Sequence, residues 1–330
     1  MAHLITVTTA DNTQRFERWF KKHFPHIPYT VMQKWLRTGQ MRLNGKRIKG
    51  QVELATGDVV RIPPHLDVSP APKSQDSQQQ KSKKTLALLR NSIIYENQDL
   101  VILNKPAGLP TQGGTNLKES LTLYLDDLLG GQDQDLRVVH RLDKDTAGLL
   151  ILAKTLESAR YLTALFRDHQ IQKIYHAVAV GKLPQKTGVI NAPIGKLQGA
   201  QKEKMSTKAP KGDVAITHYS VLGYDAQQNL SLVQLCPETG RTHQLRVHLS
   251  EVLGCPILGD GKYGGRAAHP LVRRTQLHLA ATGLSFKLPS GKPLTLSIPC
   301  PEFFIITTQG LPKQKEGVKS HKTKPGSRRN

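Results

Sequence analysis

Apolar residues at helical spacing, followed by short strand-like runs, mark the chain from about residue 12 to 63. The two predicted helical faces flank Pro25 and Pro28, and their apolar residues are Phe16, Trp19 and Phe20, then Val31, Trp35 and Leu36. Asn44-Gly45 predicts a tight hairpin, because both turn residues readily adopt positive φ. The run from Val59 to Ile62 predicts a last strand. This pattern favours a small αβ domain over residues 12–63.

Two stretches have no such pattern. Residues 64–90 begin with prolines and continue as a Ser/Gln/Lys-rich run, which predicts a flexible linker. Residues 309–330 contain seven Lys/Arg against a single Glu, which predicts a disordered basic tail. Such a tail either adds sequence-independent attraction to phosphates or only keeps the protein soluble.

Strand-like and helix-like runs alternate between these two stretches, over residues 91–308. The predicted strands are 93–95, 100–103, 148–153, 174–180 and 230–235, and the predicted helices are 155–168 and about 242–253. In the first helix, Leu156, Ala159, Leu162 and Leu165 are expected to turn inward. The pattern predicts an α+β domain with a mixed, mainly antiparallel sheet.

The charge of the chain indicates a polyanionic partner. Lys and Arg total 47 against 25 Asp and Glu, a formal charge of +22 over 330 residues, and residues 1–63 alone hold eleven Lys/Arg against four Asp/Glu. We expect this amino-terminal set to form an RNA-contacting face rather than only a solvated basic surface. The seven of these eleven residues assigned to RNA binding are Arg15, Arg18, Lys34, Arg37, Arg42, Lys46 and Arg47.

Several classes of protein are disfavoured. The amino terminus has no signal-peptide core and the chain has no apolar stretch of about 18 residues, so no membrane partner is expected. The three cysteines are far apart and form no CxxC pair, and no HExxH string occurs, so we expect no structural zinc site. A reducing cytoplasm fits this cysteine usage.

The candidate chemistry begins at His140-Arg141-Leu142-Asp143-Lys144-Asp145-Thr146-Ala147-Gly148, directly before a predicted buried strand. A charged loop in this position can present one carboxylate at the edge of a cleft. Asp143 and Asp145 would also suit Mg²⁺ in a metal-dependent nuclease, but no third carboxylate is evident. His243 and His248 lie five residues apart, a poor spacing for one helix face, so no metal is expected there either.

Three further segments accompany this loop: Asn104-Lys105-Pro106-Ala107-Gly108-Leu109, Lys173-Ile174-Tyr175-His176-Ala177, and Thr239-Gly240-Arg241-Thr242-His243-Gln244-Leu245-Arg246-Val247-His248. Together with Gly259-Asp260 and Tyr263-Gly264-Gly265, they resemble the RluA-type family of pseudouridine synthases over residues 91 to 305. The amino-terminal segment resembles the S4-type RNA-binding domain through its two helices, its Asn-Gly hairpin and its Gly57-Asp58 strand. The combination is most similar to the RluC-type enzymes of large-subunit ribosomal RNA. Ala147 departs from the family, which usually has Ser there.

The resemblance implies an isomerase that turns uridine into pseudouridine in RNA without a cofactor. It implies that Asp143 is the catalytic aspartate, that Tyr175 is the active-site tyrosine with a hydroxyl able to accept the C5 proton, and that Arg246 pairs with Asp143. Arg141 would occupy the space left by the extruded base. The remaining residues assigned to substrate binding are His140, Lys105 and Arg241.

The expected substrate is 23S ribosomal RNA or a large-subunit precursor, modified at several uridines. A transfer RNA substrate is the alternative within the family. A ribosome-associated RNA-binding protein without activity is the alternative outside it, although such a protein should have lost Asp143, Tyr175 or Arg246. A monomer is expected, because no coiled coil or large apolar patch is evident.

Overall fold

The computed structural model describes residues 3–12, 14–24, 27, 29–48, 52–63, 82–113, 119–130, 136–199, 204–269 and 276–307. The chain divides into two compact units, Met1–Gln78 and Gln79–Asn330. The predicted linker as far as residue 81 and the predicted tail from residue 309 lie outside the described residues. Within the described residues, no helix is long and apolar enough to cross a membrane.

The first unit packs two helices against a small antiparallel sheet in the order β1-β4-β2-β3. Its elements are β1 (His3–Thr6), α1 (Phe16–His23), α2 (Tyr29–Thr38), β2 (Arg42–Leu43), β3 (Lys46–Arg47) and β4 (Val59–Ile62). Asn44 and Gly45 have φ of 49° and 77°, as the hairpin prediction requires. The predicted start at residue 12 is too late, because β1 pairs with β4 along its whole length. A four-residue strand whose partner lies more than 50 residues away gives no local signal.

The core of the first unit is aromatic. Phe16, Trp19 and Phe20 are buried as their spacing predicts, and Met32 and Leu54 pack with them. Burying these rings removes a large apolar area from water and is the main stabilising contribution in so small a unit.

The second unit is built, within its described part, on a ten-stranded sheet whose main path runs β10-β13-β14-β9-β15-β8-β6-β5. The strands are β5 (Ile93–Glu96), β6 (Leu100–Lys105), β7 (Arg137–Val138), β8 (Ala147–Ala153), β9 (Gln172–Val180), β10 (Thr187–Asn191), β13 (Ile216–Asp225), β14 (Leu230–Pro237), β15 (Leu279–Lys287) and β16 (Pro293–Ser297), with β11 (Gly195–Lys196) and β12 (Met205–Ser206) in a separate hairpin. The β15–β8 pair is parallel, whereas the neighbouring β15–β9 and β6–β8 pairs are antiparallel. The predicted α+β fold with a mixed, mainly antiparallel sheet is confirmed.

The helices of this unit are α3 (Lys83–Asn91), α4 (Leu125–Leu128), α5 (Leu156–Arg167), α6 (Gln244–Val247) and α7 (Glu302–Thr307). Helix α3 corrects the predicted linker, which extended to residue 90. Ser82 caps α3 by accepting a hydrogen bond from the Thr85 amide, and Leu89 is buried in the core. The lysines at the start of α3 continue the composition of the preceding polar stretch, so the helix was not evident.

Two predicted helices differ in detail. In α5, Leu162 and Leu165 are buried, but Leu156 is 49% exposed because it occupies the first helical position, at the edge of the core. The predicted helix at 242–253 is helical over residues 244–252, but only α6 is α-helical, and the remainder, His248–Val252, is π-helical.

Strands β8 and β15 approach so closely beside the predicted catalytic loop that one position requires glycine. Gly148 has φ of +112°, and a Cβ atom there would lie 2.1 Å from the carbonyl oxygen of Ala281. Glycine alone tolerates both that φ and that distance. The loop ending at Thr146 is therefore fixed at its carboxyl end to the centre of the sheet.

Candidate active site

A cleft of about 600 Å³ in the second unit brings together three segments that are far apart in the sequence. They are the loop before β8, strand β9, and the connection from β14 to α6, and the end of α5 with the residues after it also lines the cleft. The charged and polar residues lining it include His140, Arg141, Asp143, Arg167, Lys173, Tyr175, Arg241, His243 and Arg246. The structure thus places all of the predicted site residues of this unit except Lys105 around one cavity.

Asp143 lies in a loop that is braced from behind by the segment after β6. Thr111 Oγ1 donates to the Leu142 carbonyl at 2.8 Å and accepts from the Leu142 amide at 3.2 Å. The Gly108 amide donates to the Lys144 carbonyl at 2.9 Å. The Asp143 side chain itself is 20% exposed and faces the cleft.

Lys105 also supports this loop and is not among the residues that line the cleft, which corrects its predicted substrate contact. Its side chain is fully buried, and Nζ donates to the carbonyls of Pro106 and Leu109, each at 2.8 Å, and of Lys144 at 3.2 Å. Burial lowers the pKa of Lys105 to about 8, and the charges of Asp145 and Asp143 oppose this shift. Lys105 therefore holds the loop through its backbone.

Arg246 is the predicted partner of Asp143, and the structure places its Nη1 3.6 Å from Asp143 Oδ2. Its shorter contacts are with Asp260, whose two carboxylate oxygens accept from Arg246 Nε and Nη2, each at 2.8 Å. Burial opposes the charged form of Arg246, but the hydrogen bonds and charge of Asp260 outweigh it and raise the pKa. The guanidinium is a permanent, fixed cation.

Asp260 is a residue to which the sequence assigned no role. It is 1% exposed, and besides Arg246 it accepts hydrogen bonds from the amides of Lys262 and Tyr263, both at 3.1 Å. The only sequence signal was its place in the Gly259-Asp260 pair. The pair contributes to the family resemblance, but it does not indicate which cation Asp260 contacts.

His243 is the N-cap residue of α6, in a left-handed conformation with φ of 56°, and it approaches Asp143 from another side. Its Nε2 lies 3.8 Å from Asp143 Oδ2, and its Nδ1 lies 2.6 Å from the Tyr263 hydroxyl, which accepts from the Met205 amide. Burial lowers the pKa of His243, although the charge of Asp143 opposes this shift. A neutral ring that accepts from Tyr263 at Nδ1 points its Nε2 proton towards the carboxylate. Sequence reasoning considered His243 only as a metal ligand.

Tyr175 lies in β9 and lines the cleft with Asp143. Burial, and then the negative charge of Asp143, raise the pKa of its hydroxyl far above the usual range. The hydroxyl therefore keeps its proton in the resting enzyme, and the predicted acceptance of a proton requires that this one leave first. Packing of the flat Tyr175 ring against a uracil does not require the loss of this proton.

The remaining predicted residues, His140, Arg141 and Arg241, differ in how far their side chains are buried. His140 stacks on Phe166 with ring centroids 4.3 Å apart, and its Nε2 accepts from the Ile151 amide at 2.9 Å. Burial, with Lys173 nearby, lowers the pKa of His140 to about 3, so this ring is neutral. Arg141 and Arg241 are exposed at the cleft, and Arg241 Nε donates to the Val214 carbonyl at 3.0 Å.

In the first unit the predicted basic residues are exposed, except Arg42, which is half-buried and donates from Nη1 to the Gly45 carbonyl at 3.2 Å. No group of three or more His, Cys, Asp and Glu that could hold a metal ion occurs in the part of the chain that the structure describes. Asp145, the second carboxylate of the nuclease alternative, is exposed and is not among the residues that line the cleft.

Comparison with known proteins gives consistent relatives. A family model described as RNA pseudouridylate synthase matches residues 99–251. The chain is 33% identical over 295 residues to the ribosomal large subunit pseudouridine synthase C of Rickettsia typhi, covering 88% of this chain and 95% of that protein. It is 35% identical over 305 residues to the protein of the same name from Vibrio vulnificus, covering 90% and 93%.

Two solved structures are similar to the chain. Human RNA pseudouridylate synthase domain containing 4 has a TM-score of 0.59 and 31% identity, covering 70% of this chain and 98% of that chain. Human RNA pseudouridylate synthase domain containing 1 has a TM-score of 0.56 and 26% identity, covering 67% and 87%.

Proposed function

Because the chain belongs to the RNA pseudouridine synthase family, we propose that this isomerase converts several specific uridines of 23S ribosomal RNA into pseudouridine. The observation that carries the proposal is the cleft, in which Asp143, Tyr175 and Arg246 meet among exposed cations. The relatives named above are called ribosomal large subunit pseudouridine synthases, and they match this chain over nearly their whole length.

The reaction needs one nucleotide outside its stack. The bond from ribose C1′ to N1 breaks, the uracil turns, C1′ joins C5, and the ring gains a proton at N1 and loses one at C5. These atoms are inaccessible in stacked RNA, so the nucleotide is flipped out at a free-energy cost of a few kcal/mol. Arg141 is exposed at the cleft, where its long cationic side chain suits the space that the base leaves.

Asp143 acts on the ribose as a carboxylate, either as a nucleophile at C1′ or as a base towards the sugar. The Arg246 guanidinium at 3.6 Å supplies positive charge beside it, and Asp260 holds that guanidinium. Tyr175 offers a flat ring against which the uracil lies. His140 and Arg241 complete the wall, His140 as a neutral ring and Arg241 as a cation for phosphate.

The first unit acts as an S4-type RNA-binding domain in this proposal. Its exposed cations are attached to a rigid aromatic core, which suits contact with a phosphate backbone. Deleting residues 1–63 should weaken RNA binding and reduce its salt dependence, while saturating RNA restores turnover. Unchanged affinity after the deletion would contradict this part of the proposal.

The test of the whole proposal is a map of pseudouridines in total RNA from cells that lack the gene, complemented with the wild type or with Asp143→Asn. We expect several pseudouridines of 23S ribosomal RNA to disappear and to return only with the wild type. Losses confined to transfer RNA would reassign the substrate within the family. A map identical to that of wild-type cells would refute the activity.

A further inference from the structure

Lys173 is a cation of the cleft to which the reaction steps above give no role. It lies in β9 two residues before Tyr175, and side chains two apart on a strand project from the same face. Both line the cleft together with Asp143. The strand therefore presents an aromatic ring and an ammonium group side by side, about 7 Å apart along the chain.

The ammonium group has no carboxylate partner among the described residues. Lys173 Nζ donates to the carbonyl oxygens of Glu238 and Thr239 at 3.3 and 3.4 Å, and the Glu238 carboxylate is paired with His218 at 2.6 Å. Because an ammonium group has three N–H donors, one remains for the cleft. Burial lowers the pKa of Lys173 to about 8, so the group is still largely charged at neutral pH. A half-buried cation without a counter-ion suits an anionic ligand.

We propose that Lys173 binds a backbone phosphate next to the flipped uridine while Tyr175 lies against the uracil ring; this inference rests on the proposed function. An ammonium group forms strong, charge-assisted hydrogen bonds with phosphate oxygens. The strand separates ring from ammonium as a nucleotide separates its base from its phosphate. The two carbonyl contacts orient the amine, and phosphate supplies the missing negative charge.

Lys173→Gln and Lys173→Arg test the charge. The probe is a short RNA hairpin carrying one of the uridines mapped in the cell. We expect Lys173→Gln to weaken binding roughly 10- to 100-fold, and to reduce the slope of log K against log salt concentration by about 0.7 to 0.9. Lys173→Arg should keep the wild-type slope. The matched control is Lys292→Gln, at an exposed position outside the cleft, which should leave affinity within about twofold of the wild type.

A second series identifies the phosphate. Hairpins are made with a neutral methylphosphonate in place of each phosphate flanking the target uridine. If Lys173 binds one of them, Lys173→Gln weakens binding of the unmodified RNA but not of the RNA neutral at that phosphate. Lys173→Gln that lowers affinity for every hairpin equally, or for none, would overturn the proposal and leave Lys173 as a brace for the Glu238 and Thr239 carbonyls. Failure of the wild type to isomerise the unmodified hairpin would instead refute the proposed function.

Discussion

Asp143 and Asp260 contact the same guanidinium, that of Arg246, but their surroundings are opposite. Asp260 is buried and accepts two hydrogen bonds of 2.8 Å from Arg246 as well as two from backbone amides. Asp143 is 20% exposed; its Oδ2 lies 3.6 Å from Nη1 of the Arg246 guanidinium and 3.8 Å from Nε2 of the His243 ring. Both carboxylate oxygens of Asp260 therefore accept hydrogen bonds, whereas the contacts of the Asp143 carboxylate among the described residues are longer.

In the proposed mechanism, Asp260 holds the Arg246 guanidinium and Asp143 is the carboxylate that reacts. Asp260 fixes the plane and position of the guanidinium before RNA binds, so no reorganisation of Arg246 is needed during the reaction. The positive charge of Arg246 lies close to Asp143, but among the described residues no side chain or amide makes a short hydrogen bond to the Asp143 carboxylate oxygens. Its lone pairs therefore remain directed at the cleft, where a ribose carbon or proton would be.

The largest effect is expected for Asp143→Asn, which removes the charge and keeps the size. Turnover should fall roughly 10³-fold or more, because no second carboxylate is among the described residues that line the cleft. RNA affinity and the free energy of unfolding should change little, since the Asp143 side chain makes no short hydrogen bond within the described part of the chain. Release of tritium from RNA labelled at uridine C5 measures the rate.

Asp145→Asn is the matched control for this variant, because Asp145 is exposed and two residues away. It should keep the wild-type rate. A nuclease that used both carboxylates for a metal ion would lose activity in both variants and in the presence of a chelator. Retained turnover in Asp143→Asn would remove Asp143 from the mechanism.

For Arg246 and Asp260, which share two short hydrogen bonds, we expect a loss of stability instead. Arg246→Ala should lower the free energy of unfolding by about 3–5 kcal/mol, because it leaves Asp260 buried without its cation. Asp260→Asn should destabilise in the same direction and also reduce turnover, since Arg246 loses its orientation. Urea unfolding measures the stability. The exposed Arg167–Asp168 pair offers the control: Arg167→Ala should leave the unfolding free energy nearly unchanged. An equal loss of stability in Asp143→Asn and Asp260→Asn would erase the proposed distinction.

Sequence reasoning reached Asp143, Tyr175 and Arg246 because each lies in a long local string, and the structure brings them to one cleft although Asp143 and Arg246 are far apart in the chain. The sequence predicted that Arg246 pairs with Asp143, but it did not predict the shorter contacts with Asp260. Asp260 meets Arg246 because the chain turns back after the π-helical turn, and such a return has no periodic signal. Lys105 was assigned to substrate binding through the family resemblance, and its place in the turn Asn104-Lys105-Pro106 gave no sign that the side chain is buried. Its burial depends on three carbonyl groups, two within that turn and one from a distant loop.

The fold shows the same limit. Strands β5, β6, β8, β9 and β14 were predicted from apolar runs, which are local. Strand β1 and the order of strands in the sheet were not, because strand pairing is a long-range contact. The close approach at Gly148 likewise depends on Ala281 in a distant strand, and neither residue alone predicts it.

A smaller effect is expected from loosening the loop behind Asp143. Thr111→Val keeps the shape of the side chain but leaves the Leu142 carbonyl and amide without their partner, a loss of about 1–3 kcal/mol in unfolding free energy. Because a displaced reacting group reduces turnover steeply, we expect a loss of roughly 10- to 100-fold in kcat. The control is Thr295→Val, which removes an exposed hydroxyl pair with Ser285. Equal kcat in Thr111→Val and the wild type would show that the loop does not need this brace.

The smallest effect at neutral pH is expected for His243→Gln. Burial lowers the pKa of His243 in the folded protein, so it takes up a proton only below the range of free histidine, near 6.5. The neutral ring therefore favours folding above about pH 6.5, and its contribution decreases as the pH falls, because the unfolded chain binds the proton more readily. In the active site, a protonated His243 would form an ion pair with Asp143 and slow turnover. His243→Gln should thus keep most of the wild-type rate from pH 7 to 8 and lose less of it in acid. A loss of about 10²-fold or more at pH 7 would indicate that His243 transfers a proton itself, and would place a second reacting group beside Asp143.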